Sequence, residues 1–197
     1  SGAMYRAVTL FAMQNGYIKS DFFDKETLVN SLSAIKLNFK FNPDLGFAEM
    51  YLNDVNVENE IRTIEVSNLV SKVAEVSQVR TKLVEQQQEM GKNKGIVMDG
   101  RDIATVVFPD AELKIFMNAS AQTRAQRRFD ELISKGQTVT FEEVLKNVQE
   151  RDYIDTHRDD SPLVIANDAV EIDNSYLNKK EQFDLVLELV NDITNPT

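Results

Sequence analysis

The chain of 197 residues contains no cysteine and a single histidine. Disulfides, thiolate metal sites and a cysteine nucleophile are therefore excluded, and so are histidine-rich metal centres. Glycine and proline number only 7 and 4, which argues against long flexible linkers. No apolar run approaches the roughly 18 residues that a membrane-spanning helix needs. No secretory signal pattern opens the chain, and a reducing cytoplasm is the expected compartment. Basic residues are in deficit: 22 Lys and Arg against 32 Asp and Glu leave a net charge of −10. So acidic a chain is expected to be soluble and monomeric, and duplex nucleic acid would be repelled from any broad face of it. What remains is a chain 42% hydrophobic and 27% charged, in the range of globular domains. Its length suits one domain with small insertions.

Hydrophobic periodicity predicts a helix over residues 3–15, where Met4, Ala7, Val8, Phe11 and Ala12 recur at helical spacing and Gly16 ends the run. A second helix is expected from Asp24 to Ala34. The period then changes to two: Ile35, Leu37, Phe39 and Phe41 alternate with polar residues, and Asn42-Pro43-Asp44 signals a turn. Short strands at 47–52 and 55–57, joined at Asn53-Asp54, complete a β-rich insertion in an otherwise α/β pattern. Helical spacing returns from Glu65, and Ser77 is the expected N-cap of a helix running to Met90. Ile96-Val97-Met98 and Leu113–Met117 read as buried strands, and Val170–Asp173 as a last short one. Between them lie a helix over 121–135, a helix from the Thr140/Glu143 capping box to about Tyr153, and an amphipathic helix over 178–193 at the end. Strands alternating with helices predict an α/β fold, with a parallel sheet flanked by helices.

Ligands of open α/β sheets bind beyond the carboxyl ends of the strands, where Asp99-Gly100-Arg101-Asp102 is expected. The segment reads equally as a strand-ending turn with solvated charges. On the helix 121–135, Arg124, Arg127 and Arg128 line one face. Like charges at that spacing repel by a few tenths of a kcal/mol per pair, which a bound anion would relieve. Asp130 and Glu131 offer the alternative, a solvated face. The segment 150–163 is densely charged: Asp155, four residues after Arg151, is placed to hold it, and Arg158 lies on an adjacent face. A salt-bridged surface helix would look the same. His157 is given no role. Guanidinium groups clamp phosphates in bidentate fashion, and a chain rich in them with few candidate nucleophiles suits phosphoryl transfer.

These segments resemble the bacterial cytidylate kinases, P-loop nucleoside-monophosphate kinases, over essentially the whole chain. Ser1–Leu10 resembles the stretch that follows the family's second strand, and Glu60-Ile61-Arg62 with Val66-Ser67 and Val70–Ala74 resembles the end of its nucleotide-binding insert. Asp99-Gly100-Arg101-Asp102-Ile103 with Thr105–Ala111 is its most specific signature, and Arg151-Asp152, Asp155, Arg158 and Ser161-Pro162-Leu163 resemble its lid. Ala104 and Asp54 depart from the pattern, which carries Gly at both. A larger departure is the phosphate-binding motif G-x-x-x-x-G-K-[ST], which does not occur in these residues; Gly91-Lys92-Asn93-Lys94-Gly95 is only a Lys-rich turn. The family places that motif, with a strand on either side of it, ahead of the segment at Ser1. A polypeptide of these residues alone is therefore expected to be inactive as a kinase, having no cradle for the donor phosphates.

The resemblance implies transfer of the γ-phosphoryl of ATP, as its Mg²⁺ complex, to CMP or dCMP. It implies a core of residues 1–29, 64–145 and 163–197, a monophosphate-binding insert of 30–63 and a helical lid of 146–162. Ser1 and Arg6 would meet the CMP phosphate. Arg101, Arg151 and Arg158 would face phosphates or ribose. Ser71, Arg80 and Asp102 would read the cytosine, and Asp155 would position the ribose and the lid arginines. Arg128 and Arg124 would sit over the ATP phosphates. Another small-molecule kinase of this fold, or a non-catalytic nucleotide-binding domain, is the alternative.

Overall fold

Met4, Ala7, Val8 and Ala12, all but excluded from water, form one stripe of α1 (Gly2–Gln14) and open the core of the first of two compact units, Ser1–Gly100 and Arg101–Thr197. The computed structural model describes residues 1–195. In the first unit α1 packs on α3 (Ile64–Ala74), whose Val66, Leu69, Val70 and Val73 repeat the helical stripe. Between them, α2 (Lys25–Asn30) is capped by the Asp24 carboxylate, and a 3₁₀ turn, Leu32–Ala34, follows it. The second helix is thus shorter than the sequence suggested.

The β-rich insertion is a three-stranded antiparallel meander of β1 (Leu37–Asn42), β2 (Phe47–Leu52) and β3 (Val55–Asn56). Leu37 pairs with Leu52 and Asn42 with Phe47, so Leu37, Phe39, Phe41, Ala48, Met50 and Leu52 share one face. Only the base of that face, Leu37, Met50 and Leu52, is buried. Asn53 and Asp54, at φ 48 and 67, are both left-handed, the geometry of a two-residue primed turn. Asn and Asp tolerate that region best after glycine, which is why Asp54 serves where a Gly was expected. The buried Glu58 carboxylate pins the meander: it accepts the Met50 amide at 3.0 Å and two N–H groups of Arg62 at 2.8 and 2.6 Å.

The helix α4 (Ser77–Gly91) buries Val79, Arg80, Leu83 and Gln87. Ser77 is its first helical residue and not its cap; Val76 takes the cap position. The expected strand Ile96-Val97-Met98 does not form, and Ile96 and Val97 are 43% and 99% exposed. Apolar β-branched residues favour a strand only where a neighbouring strand completes the ladder, and no strand among the described residues pairs with this segment.

The second unit begins with a π-helical turn, Ile103–Val107. Its sheet is the parallel pair β4 (Ile115–Asn118) and β5 (Val170–Asp173), with Ile115 opposite Val170 and Asn118 opposite Asp173. Between these strands run α5 (Ala121–Ser134), capped by Ser120, and α6 (Phe141–His157), opened by the Thr140/Glu143 capping box. The two helices pack together, with Phe129 and Phe141 edge to face. α6 runs one turn beyond the expected end because its last carbonyls still have donors: the Arg158 amide reaches the Ile154 carbonyl. Asn178 caps the last helix, α7 (Lys179–Thr194). The chain is thus α/β, with a parallel sheet and flanking helices.

Candidate active site

Helix register sets the second unit's cluster. On α5, Arg124 and Arg128 are one turn apart; on α6, Arg151, Asp152 and Asp155 lie in the last two turns, and Arg158 is the C-cap. Asp155, 5% exposed, is the hub. One of its oxygens accepts Nε of Arg101 at 2.8 Å and the other Nη1 of Arg158 at 3.3 Å. Its backbone carbonyl accepts the Leu163 amide, tying the segment after α6 to the helix. Arg158 is 8% exposed, and its Nε and Nη2 donate to the Ser161 carbonyl at 2.8 and 2.6 Å. Ser161 takes a left-handed φ of 50.

Arg151 is held differently. Asp155 was the carboxylate its spacing suggested, yet both Asp155 oxygens go to Arg101 and Arg158. A partner three residues away and one from a distant loop outcompete the one a full turn back. The Nε of Arg151 is buried without a hydrogen-bond partner. Burial lowers the guanidinium's pKa first, and the positive charge of Arg101 lowers it further; Asp155 acts in the opposite sense, ahead of the smaller contribution of Arg128. The group stays protonated at neutral pH all the same. A charged guanidinium set among like charges, with hydrogen-bonding capacity to spare, is a receptor for an anion.

All three nitrogens of Arg124 are engaged: Nε donates to the Ala119 carbonyl at 2.9 Å, and Nη1 and Nη2 grip the two oxygens of Asp152 at 2.8 and 2.7 Å. Arg128 pairs with Glu131 at 2.7 Å. Arg127 turns away and donates to the carbonyls of Asn174 and Leu177, fastening the loop after β5 to α5. Of the two acids expected to neutralise this helix face, only Glu131 does so; Asp130 accepts from Gln126 instead. Asp102, 4% exposed, stands at the head of the π-helical turn, and its carbonyl accepts the amides of Val106 and Val107. His157 is exposed and stacked on Tyr153.

In the first unit, α3 buries Ser71, and α4 buries Arg80 to 3% exposure. The Arg80 guanidinium lies over the Tyr5 ring and donates to the Ala74 carbonyl at 3.3 Å. The Arg6 guanidinium folds back along α1 over Gly2, where an added Cβ would lie 3.6 Å from it. Ser1 Oγ donates to the Asp99 carbonyl at 2.8 Å.

The structure therefore gathers Arg101, Arg124, Arg128, Arg151, Asp155 and Arg158 into one cluster within the second unit. Asp152 and Arg127, which the sequence places in the lid signature and on the arginine face, have no role of their own there. The partners of Arg124 and Arg127 lie 28 and 47 residues away, beyond the reach of local spacing rules.

A parallel α/β fold that gathers several guanidiniums in one cluster suits a phosphotransferase, an enzyme that handles several phosphates at once. The family follows from comparison with known proteins: the cytidylate kinase family model matches residues 1–192, and the chain belongs to that family. It is 77% identical over 193 residues to a cytidylate kinase of Flavobacterium johnsoniae, covering 98% of this chain and 84% of that protein. A cytidylate kinase of Flavobacterium psychrophilum is 73% identical over 193 residues, and one of Bacteroides thetaiotaomicron 57% over 182. ATP is the phosphoryl donor of such kinases.

Proposed function

We propose that this protein moves the γ-phosphoryl group of ATP to CMP or dCMP, giving CDP or dCDP. The observation that supports this most directly is Arg151, whose buried Nε has no partner while Arg101 and Arg128 repel the charge. Phosphoryl transfer asks little covalent chemistry of a protein. It asks that two mutually repelling anions be held in line and that the charge of the transferring group be stabilised. Guanidiniums already fixed in place do this without reorganising during the reaction.

In this reading Arg151, Arg101 and Arg158 take the phosphate and ribose side of the acceptor, and Asp155 holds the last two in register. Ser1 and Arg6 act on the CMP phosphate, and Ser71, Arg80 and Asp102 recognise the base. Arg128 faces the donor phosphates; Arg124, the other residue the resemblance assigned there, has a hydrogen bond from each of its three nitrogens to Ala119 or Asp152. Mg²⁺ would enter with ATP and offset part of the donor charge; among the described residues no group of three or more acidic or histidine side chains is placed to hold it. Residues 30–63 form the monophosphate-binding insert, and residues 146–162 a lid that excludes water and so limits ATP hydrolysis. The protein works in the cytoplasm as a monomer, in keeping with its net charge of −10 and lack of cysteine. No helix among the described residues is long and apolar enough to cross a membrane.

The test is a coupled ADP-release assay on the natural full-length protein, with CMP, dCMP, UMP and AMP as acceptors. CMP and dCMP should give the highest kcat/KM. A higher value for AMP or UMP would refute the assignment.

A further inference from the structure

We propose that Arg124 and Asp152 form a positioning pair for Arg151: the fork between them fixes the rotation of α6 and keeps the Asp152 carboxylate from neutralising its neighbour. The inference rests on the proposed phosphate-binding role of Arg151, and it assigns Arg124 a place other than on the donor phosphates.

Three observations carry it. First, the fork is bidentate and anchored. Nη1 and Nη2 of Arg124 take both oxygens of Asp152 at 2.8 and 2.7 Å, while Nε is tied to the carbonyl of Ala119, one residue past the end of β4. Two parallel hydrogen bonds in one plane define an orientation as well as a distance. Second, Asp152 adjoins Arg151 on α6, and successive helical residues point about 100° apart around the axis. Clamping one sets the direction of the other. Third, two acids on α6 lie close enough to influence Arg151, Asp152 and Asp155, and each has both oxygens engaged elsewhere. Asp155 is taken by Arg101 and Arg158, and Asp152 by Arg124. The Nε of Arg151 is left buried without a partner. Release of Asp152 would unmask a full carboxylate charge whose field already acts on Arg151, and the receptor's positive potential would fall.

A merely structural fork and a charge-withholding one differ in the double variant. Arg124→Ala, in the natural full-length protein, should weaken binding of CMP and of inorganic phosphate, read by thermal shift, by about tenfold, the size of coupling common between contacting charged groups. The KM for CMP should rise more than kcat falls. Adding Asp152→Asn to Arg124→Ala removes the quenching carboxylate, and affinity should return to within about threefold of the parent, a partial recovery of that coupling. If the double variant binds as weakly as the single one, or more weakly, the proposal is overturned. So it is if Arg124→Ala binds like the parent. Arg124→Gln, which keeps a donor for the Ala119 carbonyl, carries the same comparison should Arg124→Ala melt below the assay temperature. A parent protein that fails to phosphorylate CMP while the phosphate-binding pattern holds would refute the proposed function and leave the positioning pair standing.

Discussion

Replacing Asp155 by Asn removes one negative charge from beneath two arginines while keeping the size of the side chain. The Asp155–Arg158 pair is buried on both sides, at 3.3 Å, whereas the Arg101 side chain is 45% exposed. Loss of one partner from a buried pair costs about 3–5 kcal/mol, because the other charge stays buried. Arg158 keeps its two hydrogen bonds to the Ser161 carbonyl, which places its share near 3 kcal/mol, the lower end of that range. The half-exposed Arg101 contact adds about 0.5 kcal/mol after screening by solvent. A total near 3.5 kcal/mol corresponds to a fall in Tm of roughly 7–14 °C for a protein of this size. The cluster's net positive charge should make that loss partly recoverable. An anion lodged among Arg101, Arg151 and Arg158 replaces the missing carboxylate, and at 20 mM phosphate with a Kd of about 1 mM it returns about 1.8 kcal/mol. The measurement is a thermal melt of parent and Asp155→Asn with phosphate or with sodium chloride of equal ionic strength. The parent should gain less from phosphate than the variant. A fall in Tm below about 2 °C, or equal response to the two salts, would refute the charge accounting.

Asp102→Ala should lower kcat/KM for CMP about 10- to 150-fold, the value of one hydrogen bond to a charged group, and lower UMP use less, because a carboxylate accepts from the cytosine amino group and repels a uracil carbonyl. An unchanged CMP/UMP ratio in a folded variant would make Asp102 a structural residue only. Arg158→Ala should reduce kcat by 10²-fold or more while weakening CMP binding much less, as expected for a group that acts on charge developing in transfer; single-turnover and equilibrium binding measurements separate the two effects. Glu58→Gln should destabilise the meander by about 1.5–3 kcal/mol through loss of a charge-assisted bond to Arg62. It should also speed hydrogen exchange at the Met50 amide, while exchange at the amides of α5 and α6 stays as in the parent.

Where a stretch of chain carries its own instructions, the sequence reading and the structure agree. The alternation through Leu37, Phe39 and Phe41 becomes β1, Asn53-Asp54 becomes a left-handed turn, and Thr140 with Glu143 becomes a capping box. Where the outcome depends on a distant neighbour, they part. Ile96-Val97-Met98 has strand composition but no strand to pair with among the described residues, so the chain stays irregular. Arg151 has a carboxylate at ideal helical spacing, yet Arg101, 54 residues before Asp155, takes one of its oxygens. The arginine-rich character of the site was thus legible, and so was its family. Which arginine is paired and which is left with capacity to spare is decided by contacts across α5, α6 and the loop before the π-helical turn.

Arg158 is already employed within the protein, with Nη1 on Asp155 and both Nε and Nη2 on the Ser161 carbonyl. A phosphate that takes any of these donors exchanges one hydrogen bond for another and gains only the difference. On the proposed role of Arg158, ground-state nucleotides would be held loosely, and the full strength of the guanidinium would be reserved for the species with the greatest charge, where it raises the rate. The same exchange would run backward when the product departs: the Ser161 carbonyl stands ready to reclaim its donors, which would shorten the residence time of the diphosphate.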